Sequence, residues 1–157
     1  MGLYWCDTLL SRIGAACARQ LAAKGVHLAL TYSTNLSSTS SLAEELKSKH
    51  SGYSLRISVH KVDVASAEEI QRMFEEIDGQ HGSRPDILVS NAGYGKRIPQ
   101  IWDIPLEEFD YTINVNLRAS FILVKGVVDH MKSQRWGRIV FMSSIAGQGG
   151  GINGCRT

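Results

Sequence analysis

Apolar positions along the chain follow two alternating rhythms, one of period near four and one of period two. In "SRIGAACARQLAAKG", Ile13, Cys17 and Leu21 recur every fourth residue, with Ser11 placed to cap the start and Gly25 to stop the run, which predicts a short amphipathic helix. "VHLALTY" follows as a short strand-forming run, and "STNLSSTSS" reads as a polar loop. Ser41 and Glu44 have the spacing of a capping box, each side chain taking one orphan amide, so a second helix is expected from there to about His50, with Gly52 beyond it. Leu55, Ile57 and Val59 alternate with Arg56, Ser58 and His60 up to Val62, the period of a half-covered strand near a sheet edge. Ser66 and Glu69 repeat the capping box and open a helix through Met73, Phe74 and Ile77 that ends near Gly82. "PDILVSNAG" is a short buried strand entering a glycine turn. A long helix over 105–133 is then expected, with Phe109, Ile113, Leu117, Phe121, Val124 and Val128 as its core stripe, Gly137 as its stop and "RIVFMSS" as the last strand.

Strands alternating with helices, with no hairpin signal and no internal repeat, predict a parallel sheet covered on both faces. Right-handed crossovers make this a doubly wound α/β fold. Ligands of such sheets bind beyond the carboxyl ends of the strands. Tyr32 and Ser33, Asp63, Asn91 to Gly93, and Ser143 with Ser144 fall at those ends, so polar and glycine residues gather along one edge.

With 157 residues, 43% of them hydrophobic, the chain fits one domain with a sizeable core. Its 17 basic and 15 acidic side chains leave a net charge of +2 without a basic stripe, which argues against nucleic acid as a partner. Cys6, Cys17 and Cys155 have neither metal-ligand nor framework spacing, so no metal site is expected and reduced thiols in an intracellular, cytoplasmic protein are the simplest reading. "MGLYWCDTLL" lacks a basic leader region and is broken by Asp7, so neither a signal peptide nor a membrane span is expected.

In order and spacing these segments resemble the short-chain dehydrogenase/reductase family, and within it the 3-oxoacyl-[acyl-carrier-protein] reductase type, from about Ser11 to Cys155. "DILVSNAGYG" is similar to the family's Asn-Asn-Ala-Gly turn, with Ser90 in place of the first Asn and Asn91, Ala92 and Gly93 kept. "HKVDVAS" is similar to the segment whose Asp63 holds the adenine edge with Val64 beside the ring. "FDYTINVNLRASF" resembles the helix carrying a catalytic Asn, which falls on Asn116, and "GRIVFMSSIAG" the strand whose second serine, Ser144, is catalytic. The resemblance implies a Rossmann-like dinucleotide-binding domain and hydride transfer between a nicotinamide cofactor and a small carbonyl or acyl-thioester substrate. It also implies a possible homo- or hetero-oligomer through the 105–133 helix. NADP (NADPH) is the expected cofactor, because "TYSTN" after the second strand offers no carboxylate for a ribose diol while Arg12 is a nearby cation for a 2′-phosphate.

Several positions depart from the family's pattern. Its spacing puts the proton-donating Tyr at position 157, where Thr157 stands, and no Tyr in the chain is followed four residues later by Lys. The glycine-rich phosphate loop aligns with "DTLLSRIG", leaving Thr8 and Arg12 at glycine positions and keeping only Gly14, next to Ile13. "LYWC" stands where the central first strand belongs. The expectation is therefore a single partial domain over 1–157, truncated at both ends, with a short or substituted first strand, no C-terminal strands, doubtful cofactor binding and little or no hydride transfer. A non-catalytic partner of full-length relatives and a plain nucleotide-binding module are the alternatives.

Overall fold

A computed structural model of the chain describes residues 3–6, 12–52 and 54–145. The expected Ser11 cap, the substitution at Thr8 and the replacement at Thr157 lie outside the described residues. Five strands, β1 (Leu3–Cys6), β2 (His27–Tyr32), β3 (Ile57–Lys61), β4 (Ile87–Ser90) and β5 (Arg138–Phe141), form one parallel sheet in the order β3-β2-β1-β4-β5. Helices α1 (Arg12–Ala22), α2 (Leu36–Lys49), α3 (Ala67–His81), α4 (Leu106–Ile113) and α5 (Ala119–Ser133) supply the crossovers. The doubly wound α/β fold is the one expected, and "LYWC" does pair, with β2 on one side and β4 on the other.

Each face of the sheet has its own core. On one face Leu28, Leu30 and Val89 pack with Ala18, Ala22, Leu42 and Leu46 of α1 and α2. On the other, Ala29 and Leu88 pack with residues of α3 and α5, Phe74, Ile77, Leu123 and Val127 among them. Because both faces of β3 are covered, Ser58 and His60 are buried against α3, and the half-covered strand expected there is corrected.

Further expectations are corrected by local chemistry. The second helix begins at Leu36, inside the segment read as loop. Asn35 is its cap, its side-chain oxygen accepting from the Ser38 N–H at 3.1 Å, a bond worth about 1 kcal/mol, so Ser41 and Glu44 lie within the helix. The 105–133 helix is not continuous: residues Asn114–Arg118 form a π-helical turn between α4 and α5. Its buried stripe is Thr112, Val115, Ala119, Leu123, Val127 and Met131; of the expected stripe Val124 packs against the core and Val128 is half-buried, whereas Phe109, Ile113, Leu117 and Phe121 are exposed, so its first four positions were taken from the wrong face. Gly137 does not stop the helix. Arg135, with φ of 56°, does, as the Arg135 N–H donates to Lys132 O and the Trp136 N–H to Met131 O. At Ser66 the capping box is half made: its hydroxyl accepts from the Glu69 N–H at 3.2 Å, and Glu69 turns elsewhere. Gly82, with φ of 78°, closes α3 as expected.

Outer strand β5 pairs with β4 and, among the described residues, with nothing beyond; Val140, Phe141, Met142 and Ile145 there are exposed.

Two glycines on facing helices give a paired stability test. A Cβ on Gly126 of α5 would collide with the Phe74 ring, whereas one on Gly79 of α3 meets nothing within 4 Å. Gly126→Ala should lower unfolding stability by roughly 1–3 kcal/mol, and Gly79→Ala should raise it by roughly 0.5–1 kcal/mol, as read by urea denaturation.

Candidate functional site

Apart from the one carrying Asn116, the segments singled out in the sequence leave the sheet at its carboxyl edge or start the helix that follows. Asp63 and Val64 come directly after β3, Asn91 to Gly93 after β4, and Ser144 after β5. Arg12, Ile13 and Gly14 form the first turn of α1, Arg12 and Ile13 exposed and Gly14 buried. With β1 in the middle, the strand order reverses between β1 and β4, and the α1 start and the Asn91 turn lie on either side of that switch point.

The turn carrying Asp63 is tied down by side chains. The Asp63 N–H donates to Glu69 Oε2 at 2.8 Å, and Asp63 Oδ1 accepts from the Ala65 N–H at 2.9 Å. Glu69 thus serves Asp63 instead of reaching back to its own helix start. Asp63 Oδ2 accepts no hydrogen bond from the described residues and remains available as an acceptor. Val64 is buried in the core beside α3.

Asn116 lies in the π-helical turn, and its side chain clamps the main chain just after Gly93: the Tyr94 N–H donates to Asn116 Oδ1 at 2.7 Å, and Asn116 Nδ2 donates to Tyr94 O at 2.8 Å. Both atoms are matched to one peptide segment, a bidentate arrangement that fixes its orientation. Asn116 is partnered through both amide atoms while remaining exposed. π turns recur at functional sites because they shift the helix by one residue and re-aim its side chains. Here the shift sets Asn116 against the β4 turn.

Residues that the sequence did not single out complete this edge. The rings of Tyr94 and Tyr111 meet edge to face, with centroids 4.8 Å apart, and Lys96 Nζ lies 3.5 Å from Glu108 Oε2. Burial holds the Tyr111 phenol above its ordinary value, reinforced by the negative charge of Asp63, by Tyr94 and by Glu108. That shift keeps Tyr111 protonated and works against its use as a proton donor. Only Glu69 had a sequence signal, as the last residue of the Ser66 capping box; the other contacts join segments distant in sequence. Ser144 is exposed on the same edge through β5. Among the described residues no group of three or more His, Cys, Asp or Glu side chains could hold a metal ion, and no helix is long and apolar enough to cross a membrane.

A sequence profile described as short chain dehydrogenase matches residues 10–156. Curated relatives include D-beta-hydroxybutyrate dehydrogenase of Rhizobium meliloti, 34% identical over 87% of this chain and 51% of its own length. A 3-oxoacyl-[acyl-carrier-protein] reductase of Staphylococcus epidermidis is 32% identical over 86% of this chain and 53% of its own. Among solved structures, L-sorbose reductase of Gluconobacter frateurii, complexed with NADPH and L-sorbose, superimposes with a TM-score of 0.86 at 26% identity, over 97% of this chain and 56% of that one. The chain spans about half the length of the curated relatives it matches.

Removing the clamp should be visible without any ligand. In Asn116→Ala the Tyr94 amide loses its acceptor, and its hydrogen exchange should rise by about tenfold, the equivalent of one hydrogen bond, while amides of β2 and β3 keep their rates.

Proposed function

The chain belongs to the short-chain dehydrogenase family, and on that premise we propose that residues 1–157 form the NADP(H)-binding half of a carbonyl reductase similar to 3-oxoacyl-[acyl-carrier-protein] reductase, unable by themselves to complete hydride transfer. The observation that carries this reading is the gathering of Asp63, Asn91 to Gly93, the clamped Tyr94 and the α1 start along one sheet edge.

The donor set fits a phosphorylated dinucleotide. Asp63 Oδ2 offers an acceptor for an adenine amino group, Asn91 and the peptide groups of Ala92 and Gly93 border the switch point, and Gly14 opens the first turn of α1. Arg12 makes no ion pair with the described residues and stands exposed at a helix start, where both its charge and the helix dipole favour a phosphate. No carboxylate follows β2 in Tyr32 to Asn35 to compete with a 2′-phosphate.

When bound, the cofactor supplies or accepts a hydride at a carbonyl carbon, so negative charge develops on the carbonyl oxygen. Ser144 is the residue of this chain assigned to donate a hydrogen bond to that oxygen. Asn116 fixes the β4 turn beside it, and the second lone pair and N–H of its amide remain for a water on a proton path. A tuned phenol is needed to deliver the proton, and none of the five tyrosines stands four residues before a Lys.

A second reading has its own observation. Phe109, Ile113, Leu117 and Phe121 form an exposed apolar stripe along α4, the π turn and α5, the helix expected to meet another subunit. The chain would then act as a non-catalytic partner of a full-length relative. Co-expression followed by size-exclusion chromatography should give co-elution that Leu117→Lys with Phe121→Lys abolishes; separate elution of the unsubstituted chains overturns this reading.

For the first reading, titration of the chain should give saturable NADPH binding stronger than NADH binding. Arg12→Ala should weaken NADPH about tenfold and leave NADH unchanged, since one charge-assisted contact is worth about 1.5–3 kcal/mol at most. NADPH absorbance should not fall when an acetoacetyl thioester is added; turnover at the rate of an intact relative overturns the assignment of inactivity.

A further inference from the structure

A chain of polar side chains outside the candidate site joins β3 to α3. Glu76 Oε2 lies 2.8 Å from His60 Nδ1, His60 Nε2 lies 2.7 Å from Ser58 Oγ, and Ser58 Oγ lies 2.8 Å from His81 Nε2. His60, His81 and Ser58 are only 1%, 5% and 7% exposed. With both rings neutral, counting protons leaves one arrangement that satisfies every link. The Glu76 carboxylate can only accept, so His60 carries its proton on Nδ1 and accepts at Nε2 from the Ser58 hydroxyl. That hydroxyl has then used its single proton, and it accepts from the His81 Nε2–H. His81 Nδ1 is left as a bare lone pair, buried and without a hydrogen bond to the described residues.

An extra proton disrupts this order wherever it lands. On His81 it occupies Nδ1, where no acceptor waits. On His60 Nε2 it reverses the Ser58 hydroxyl and forces His81 into the Nδ1–H tautomer, again placing a buried donor without a partner. The surrounding charges do not relieve the problem. Arg56, preceding β3, donates from Nη1 to His81 O at 3.0 Å and from its main-chain N–H to His27 Nδ1 on β2 at 3.1 Å. On α3, Glu76 is shared with Arg72, and Asp78 is paired through Oδ2 with Arg84 at 2.9 Å, its buried Oδ1 making no hydrogen bond to the described residues. Burial first, then Arg56, His60 and His27, push the His81 imidazole down to about 4 from the ordinary 6.5.

We propose that the His81–Ser58–His60–Glu76 chain is an acid-sensitive latch: neutral, it fastens the outer strand β3 to α3, and protonated, it releases that strand. The latch does not depend on any cofactor, so it stands or falls separately from the proposed function. Its consequence reaches the site nonetheless, because Asp63 is separated from β3 by one residue and would be held only by Glu69 and by its own turn to Ala65 and Ser66 once β3 is loose.

Unfolded His81 takes up a proton near 6.5 and folded His81 near 4, so between those values the unfolded state holds more protons. Stability is therefore complete above about pH 6.5 and declines as the pH falls toward 4. Urea unfolding of the whole chain should show the folding constant dropping about thirty-fold from about pH 7.5 to about pH 5 on account of His81. His81→Gln retains an N–H donor for Ser58 and cannot take up the proton, so the drop should shrink by most of that factor, leaving the share due to His27, whose imidazole is also held low by burial and by Arg56. An unchanged drop in His81→Gln overturns the latch. Should that variant fail to fold, histidine ring signals of the unsubstituted chain decide: titration of His81 at 6.5 or above with β3 amides still protected overturns it, and loss of β3 protection together with His81 protonation supports it.

Discussion

The ladder made by β1 is the constraint on which the structure rests. Four residues, Leu3–Cys6, pair with β2 from Leu3↔His27 to Cys6↔Leu30 and with β4 from Tyr4↔Ile87 to Cys6↔Val89. Tyr4 to Cys6 thus have a partner strand on both sides, where a buried unpaired peptide group would cost on the order of 1–3 kcal/mol. Without β1 the pair β2–β3 and the pair β4–β5 would share no hydrogen bond across the middle of the sheet. The same strand also creates the crevice: the chain runs outward from β1 to β2 and β3, then returns to β4 and β5, so connections leave the sheet in opposite directions on its two sides.

At the edge of that crevice, side chains hold main chain. Glu69 grips the amide of Asp63, and Asn116 grips both polar groups of Tyr94. A turn fixed in this way does not have to be ordered when a ligand arrives, which removes part of the entropic cost of binding. Both gripping residues sit on helices, so the rigidity of α3 and of the π turn passes into the loops. The π turn matters for a further reason: by adding a residue to the helix it lets the core stripe continue into Ala119, Leu123 and Val127 while Asn116 faces the β4 turn.

Much of the architecture was legible in the sequence because periods of two and of about four are hard to confuse over several turns. Strand and helix identities, the caps at Ser66 and Gly82 and the sheet edge at which Asp63, Asn91 and Ser144 lie could all be read. The start of α2 could not: a run of serines hid the Asn35 cap, and one leucine, Leu36, is too little apolar signal to mark a helix. The 105–133 helix misled for a different reason. It carries two stripes of near-equal spacing, and the one with larger aromatic residues, Phe109 to Phe121, faces outward while the smaller Val115, Ala119 and Leu123 fill the core. Spacing identifies a face but does not say what covers it. The grip of Asn116 on Tyr94 and the burial of Ser58 and His60 depend on segments far apart in sequence, so no local pattern could announce them.

The rim formed by β5 has a practical meaning for anyone handling this chain. Among the described residues its outer peptide groups meet no further strand, and beside them Val140, Phe141 and Met142 are exposed with Arg138 as the strand's single charge, without the lysines, prolines or bulges that usually protect a sheet edge. An edge of this composition is a template for strand-upon-strand pairing wherever it is left uncovered.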